Sequence, residues 1–251
     1  MFDKKFALCY TINMKKQKFN ASYLYNILAL IITIILIIFI VVKSIPLSAK
    51  DVFYNNIDSI VELRASTDGV GDSFGTAEFV SSDGKLITNA HVVTYKSMGE
   101  VHAFENISIR FAKATEYVAV TLVKYDTELD IAVLQLIDMN TKFKAMQIAD
   151  SDKLDFGDKV YAIGNASNYG LSITLGQISA PKINVENDGV TRLVIQCDLT
   201  ISAGNSGGSL LDSRGRLIGV TTFRTKDNVG NVVYGVAYCL PINTVMNYVN
   251  A

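Results

Sequence analysis

Gly204-Asn205-Ser206-Gly207-Gly208 sets a single hydroxyl among three glycines. A nucleophilic serine needs an exposed hydroxyl with backbone N–H groups beside it to hold a developing oxyanion. Glycines on both sides permit unusual backbone angles and close approach of a substrate. Taken alone, the five residues also describe a glycine-rich turn, so the rest of the chain must decide.

The string fits G-x-S-x-G, the nucleophile elbow of α/β-hydrolases, but those enzymes carry their catalytic histidine after the serine. This chain has two histidines, His91 and His102, and both precede Ser206. His91 lies in Leu86-Ile87-Thr88-Asn89-Ala90-His91-Val92-Val93, where an apolar strand runs into a short turn among small residues. His102 follows Gly99-Glu100-Val101 and reads as surface. For the carboxylate, Asp130 opens the run Ile131-Ala132-Val133-Leu134-Gln135-Leu136. At the mouth of a buried strand it can be shielded while it accepts one imidazole N–H and fixes the tautomer. Asp126 sits four residues earlier in a more solvated setting. The order His91, Asp130, Ser206 is the chymotrypsin-like one.

From about Asp51 onward, short apolar runs alternate with Gly, Asn, Asp and Ser. Examples are Ala77–Val80, Lys85–Thr88, Ile107–Phe111, Tyr117–Val123, Ile131–Leu136, Lys159–Ile163, Leu193–Gln196 and Leu217–Thr222. Such runs predict an all-β sandwich or barrel. Ser82-Asp83-Gly84 and Ser213-Arg214-Gly215 predict hairpin turns. Ile242, Val245, Met246 and Val249 recur at helical spacing and predict a helix over Pro241–Val249. Polar Ala149-Asp150-Ser151-Asp152-Lys153 divides two similar β units, 61–150 and 151–251.

The motifs together resemble the protease domain of the HtrA (Deg) family, a branch of the trypsin-like fold. They run Thr88 to Val93, Asp130 to Leu134, Ile148 to Ser151, Gly157-Asp158, Ala162 to Asn165, Gln196 to Asp198, Gly204 to Gly208, and Leu217 to Val220. The resemblance covers about residues 70–249. It implies two perpendicular six-stranded barrels with the triad in the cleft, and peptide-bond hydrolysis. It implies an oxyanion hole from the N–H groups of Gly204 and Ser206. It implies a primary pocket lined by Thr200, Ile201, Thr221, Thr222, Phe223 and Ala237, with no acid between Leu199 and Asn205 to receive a basic side chain. Trimers are common among such relatives, which extends a homo-trimer to this chain as an expectation. Departures are Gly75-Thr76-Ala77 for Gly-Ser-Gly, Glu78 where an apolar residue is usual, Ala166 for Pro, and Ala237-Tyr238-Cys239-Leu240-Pro241 for Gly-Phe-Ala-Ile-Pro. The chain stops at Ala251, leaving no room for a PDZ domain, so regulation by a PDZ-bound peptide is expected only if another chain supplies one.

Ahead of this body, residues 24–42 carry no charge, long enough as a helix to match a bilayer core. Residues 1–23 hold five lysines and one acid, which places that basic tail in the cytoplasm and the body outside. Residues 43–60 read as a linker. A cleaved signal peptide is the competing reading, with a site after Ala49, but its apolar stretch should be shorter. Cys197 and Cys239 would lie where disulfides form, and two buried free thiols are the other reading. The net charge of −1 offers no field for nucleic acid. No CxxC, HExxH or GxGxxG string occurs, so no cofactor or metal is expected. The partners expected are a protein or peptide substrate and the membrane. The runner-up function is a catalytically silent double barrel that binds extended peptides by strand addition; an intact triad argues against it. A chaperone-like role beside proteolysis is weaker still.

Overall fold

A computed structural model describes residues 21–187, 189–226 and 232–251; residues 1–20, with the five lysines and Cys9, lie outside them. Contacts divide the chain into two units, 1–46 and 47–251. In the first, helix α1 spans Ala21–Ser44. Its stretch Ser22–Val42 is long and apolar enough to cross a membrane by length and composition, and none of it is buried. The Thr33 hydroxyl donates to the Ala29 carbonyl at 2.8 Å, so this polar group is satisfied inside the helix.

In the second unit, strands close into two barrels. The first is built from β1 (Ile60–Thr67), β2 (Gly71–Phe79), β3 (Lys85–Thr88), β6 (Asn106–Phe111), β7 (Val118–Asp126) and β8 (Ile131–Leu136). The second holds β9 (Lys159–Gly164), β10 (Ser172–Asn187), β11 (Val190–Cys197), β12 (Ser209–Asp212), β13 (Leu217–Lys226) and β14 (Val232–Pro241). A separate hairpin pairs β4 (Thr94–Ser97) with β5 (Glu100–Ala103). The first barrel closes through β1 against β6, and the second through β9 against β10. The two predicted hairpin turns join β2 to β3 and β12 to β13.

The strands nearest the site are continuous apolar runs because both faces are covered. Leu86, Ala132, Leu134 and Leu136 point into the first barrel. Their neighbours Ile87 and Ile131 face the other way, into an apolar layer shared with Tyr161, Ile163, Leu211 and Val220 of the second barrel. Val160, Ala162 and Leu210 alternate with these and fill the second barrel's interior. Side chains of successive strand residues point to opposite faces, so one run serves two cores. Cys197 and Cys239, on paired strands β11 and β14, are free and buried in the second core.

The segment expected as a linker, 43–60, instead contains helix α2 (Ala49–Asn56). Ser48 caps it, accepting from Asp51 N–H at 3.1 Å, a Ser-x-x-acid box. Val52 is buried in the inter-barrel layer. Leu47 donates its N–H to the Ser213 carbonyl at 2.8 Å and accepts from the Tyr161 hydroxyl at 2.8 Å. The helix is therefore tied to the second barrel. A four-residue helix α3 (Ala90–Val93) follows β3, and α4 (Ile242–Asn250) closes the fold with Ile242 and Val245 buried.

Candidate active site

His91 leaves the end of β3 on α3, and Asp130 stands at the entry to β8, paired beside it; Thr88 lies opposite Ala132 in the ladder. That adjacency brings residues 39 apart in sequence together. His91 Nδ1 lies 2.9 Å from Asp130 Oδ2 and 3.0 Å from Oδ1, and the His91 backbone N–H donates to Oδ1 at 3.0 Å. From the other barrel, the Thr222 hydroxyl donates to Oδ2 at 2.6 Å. Asn89 Nδ2 donates to the Asp130 carbonyl at 2.9 Å. Burial pushes the Asp130 carboxyl up, but bonds from the His91 ring, the His91 charge and the Thr222 hydroxyl outweigh it, and the group lies below the ordinary aspartate value. Asp130 is thus an anion that holds the imidazole from one side.

Ser206 sits on the loop between β11 and β12, in the second barrel. Its hydroxyl donates to the Thr222 carbonyl at 3.3 Å, and no hydrogen bond joins it to His91. Thr222 therefore touches both halves of the site, the acid through its side chain and the serine through its backbone. Loose nucleophile–base contacts are common before substrate binds.

The loop itself is fixed by its carbonyls. Ala203 O accepts from Ser167 N–H at 2.7 Å, and Gly204 O from the Thr76 hydroxyl at 2.8 Å. Ser206 O accepts from Thr76 N–H at 2.9 Å, and Asn205 O from Gly208 N–H at 2.9 Å. Since a trans peptide points its C=O and N–H in opposite directions, anchoring the Ala203 and Asn205 carbonyls turns the Gly204 and Ser206 N–H groups away from the anchors. Among the described residues, neither N–H has an acceptor. Gly207 explains why glycine is needed: at φ +78°, a Cβ would stand 2.1 Å from the Thr88 hydroxyl oxygen and 2.2 Å from the Thr76 carbonyl. That approach lets Gly207 N–H reach Asn89 Oδ1 at 2.7 Å.

A cavity of about 860 Å³ is lined by His91, Asp130 and Ser206 together with Ile201, Thr222 and Phe223. The other three residues expected in the pocket lie elsewhere. Thr200 borders a small neighbouring void with Ile201 and Arg224. Thr221 is buried, its hydroxyl donating to backbone carbonyls of the serine loop. Ala237 is fully buried in the second core. Arg224, which no motif pointed to, lines both spaces and donates to the Ile201 carbonyl at 3.4 Å. Thr76 also escaped the sequence reading except as a departure; its hydroxyl accepts from Asn165 N–H at 2.9 Å while donating to Gly204 O. A β-branched hydroxyl between Gly75 and Ala77, in the buried half of β2, was the signal.

Two closed six-stranded barrels with a His–Asp pair on one and a glycine-framed serine on the other define the trypsin-like peptidase class. Residues 75–220 match the family described as "Trypsin-like peptidase domain", and the chain belongs to that family. Within it the similarity is to HtrA-type members. A probable periplasmic serine endoprotease, DegP-like, of Bartonella henselae is 36% identical over 177 residues, 70% of this chain and 33% of its own length. The serine protease Do-like HtrA of Lactobacillus helveticus is 30% identical over 214 residues, 81% of this chain and 49% of its own length. The solved structure of the HtrA-type protease AlgW with tripeptide superposes with a TM-score of 0.69 at 28% identity, covering 81% of this chain and 63% of that one. The chain thus spans between a third and a half of the length of these two curated relatives.

Proposed function

We propose that the chain is a serine endopeptidase acting on exported or unfolded polypeptides. The observation that carries this reading is the buried Asp130 anion holding His91 in the same cavity as Ser206. Ser206 Oγ attacks the scissile carbonyl while His91 takes its proton, and the C–N bond breaks as His91 returns that proton to the leaving amine. Water then hydrolyses the acyl-enzyme by the same proton route. The free N–H groups of Gly204 and Ser206 receive the oxyanion. Of the residues expected in the primary pocket, Ile201, Thr222 and Phe223 line the cavity and none is acidic, and Arg224 adds a cation beside them, so a basic side chain buried among them would be unpaired. The expected result is cleavage of casein and of peptides after Val, Ala or Ile by the full chain in detergent. A library profile dominated by cleavage after Lys or Arg would refute the pocket; casein left intact would refute the enzyme.

A silent peptide-binding barrel is the second reading, favoured by the Ser206 hydroxyl resting on Thr222 rather than His91. It predicts saturable binding of unfolded peptide with no turnover.

Residues 24–42 are proposed as a retained single-pass anchor, with a cytoplasmic N-terminus and the barrels outside. Cleavage after Ala49 would remove Leu47 and Ser48, and with them the cap of α2 and two bonds to the second barrel. Added protease should therefore digest the barrels on intact cells while a cytoplasmic marker survives. A mature chain whose N-terminus is Lys50 would show the anchor to be a cleaved signal.

A further inference from the structure

The turn that delivers Asp130 to the site is gripped from both barrels. From its own barrel, Asp126 Oδ1 accepts the N–H groups of Glu128 at 2.8 Å and Leu129 at 2.9 Å. From the other, Arg192 of β11 donates Nε to the Glu128 carbonyl at 2.6 Å and Nη2 to the Thr127 carbonyl at 2.9 Å. Its Nη1 reaches back to the Asn187 carbonyl of its own hairpin at 3.4 Å. Two side chains thus collect two amides and two carbonyls of one turn. A planar fork of donors suits two adjacent carbonyls in a way an ammonium does not.

The residue leaving this turn is Asp130, at φ +58°. Left-handed backbone is unfavourable for a residue with a Cβ and persists only where its surroundings enforce it. The loop bearing Ser206 belongs to the same barrel as Arg192, whereas the turn belongs to the barrel of His91. Arg192 also lines the cavity, at the end bounded by Thr127, Glu128 and Asn187.

We propose that Arg192 is a positioning residue: by clamping the turn before Asp130 onto the second barrel, it holds the His91–Asp130 pair in register with Ser206. This rests on the serine-peptidase reading above. The test compares the full-length chain with Arg192→Ala and Arg192→Lys for kcat and KM on a peptide amide. It adds the rate at which a small fluorophosphonate labels Ser206, a reaction that needs an activated serine but little of the cleft. Arg192→Ala should lower kcat and labelling together by about tenfold, the rate equivalent of one solvent-screened charged hydrogen bond. KM should stay within about twofold, and Arg192→Lys should recover only part of the loss, since its ammonium serves one carbonyl at a time. Unchanged labelling with a raised KM would overturn the proposal, reducing Arg192 to a wall of the cleft. So would a loss accounted for wholly by a smaller folded fraction. A wild-type chain that is not labelled at all overturns the peptidase reading as well, because no serine nucleophile is then there to position.

Discussion

Replacing Ser206 or His91 with alanine should lower kcat for a peptide amide by roughly a million-fold while leaving the fold intact. The structure separates the two effects. Ser206 anchors its loop through its carbonyl, bonded to Thr76 N–H at 2.9 Å, and alanine keeps that carbonyl. The hydroxyl contributes one bond of 3.3 Å. The His91 side chain is 48% exposed, so its removal opens no internal cavity. Asp130→Asn should cost less, roughly 10⁴-fold, because the amide offers an N–H where Nδ1–H needs an acceptor and so selects the wrong tautomer. Combining Ser206→Ala with His91→Ala should cost no more than either alone, since the two act as a unit. Kinetics on folded protein, checked by thermal melts, read this out. Residual turnover within tenfold of wild type in either alanine variant would remove these residues from the mechanism.

Glu78→Leu should stabilise the protein, and more so as pH rises. Glu78 stands in β2 opposite Ile60 and Ile87, fully buried, and among the described residues neither carboxyl oxygen has a partner. Burial holds its carboxyl well above the ordinary glutamate value. Below the unfolded-state pKa of about 4.3 both states are protonated and the group adds no pH dependence, though its unpartnered carboxyl still costs desolvation. Above it, the unfolded chain releases the proton and the folded chain keeps it. Each further pH unit then favours unfolding by about tenfold, until the folded carboxyl itself ionises. Leucine removes that loss and gives the strand the apolar residue its surroundings suit. Urea titrations of both proteins at pH 4 and pH 8 measure it. A stability difference that does not widen between those pH values would show that Glu78 has a partner or is solvated.

What could be read from the chain follows from where each residue's partners lie. β3 and β8 were legible because both of their faces are covered, so Leu86-Ile87 and Ile131–Leu134 are apolar without interruption. His91, Asp130 and Ser206 were legible as a chemical order backed by motifs on each side. Thr222 was read only as a pocket wall, because its bond to Asp130 crosses 92 residues of sequence. Arg192 left no trace for a similar reason, since its acceptors are backbone carbonyls 64 and 65 residues away and carbonyls carry no sequence signature. Ser48-Ala49 read as the end of a cleavage site because small residues serve there, yet the same small hydroxyl residue is a helix cap. The pocket suffered most. The resemblance places Thr200 in the pocket, but the open space beside the serine is shaped by how the strands cross, not by their order.

The division of His91, Asp130 and Ser206 between the two barrels has a consequence in time. As the chain is made from its N-terminal end, the barrel bearing His91 and Asp130 can close with β8, long before Ser206 has emerged. The serine loop then has its Thr76 anchors waiting, but Thr222 and the closing strand β14 (Val232–Pro241) come later still. On the serine-peptidase reading proposed above, hydrolytic power therefore arrives in one step near the end of synthesis. On that reading, a chain interrupted anywhere before β13 carries a base without a nucleophile, or a nucleophile without its strut, and spares its own unfolded neighbours.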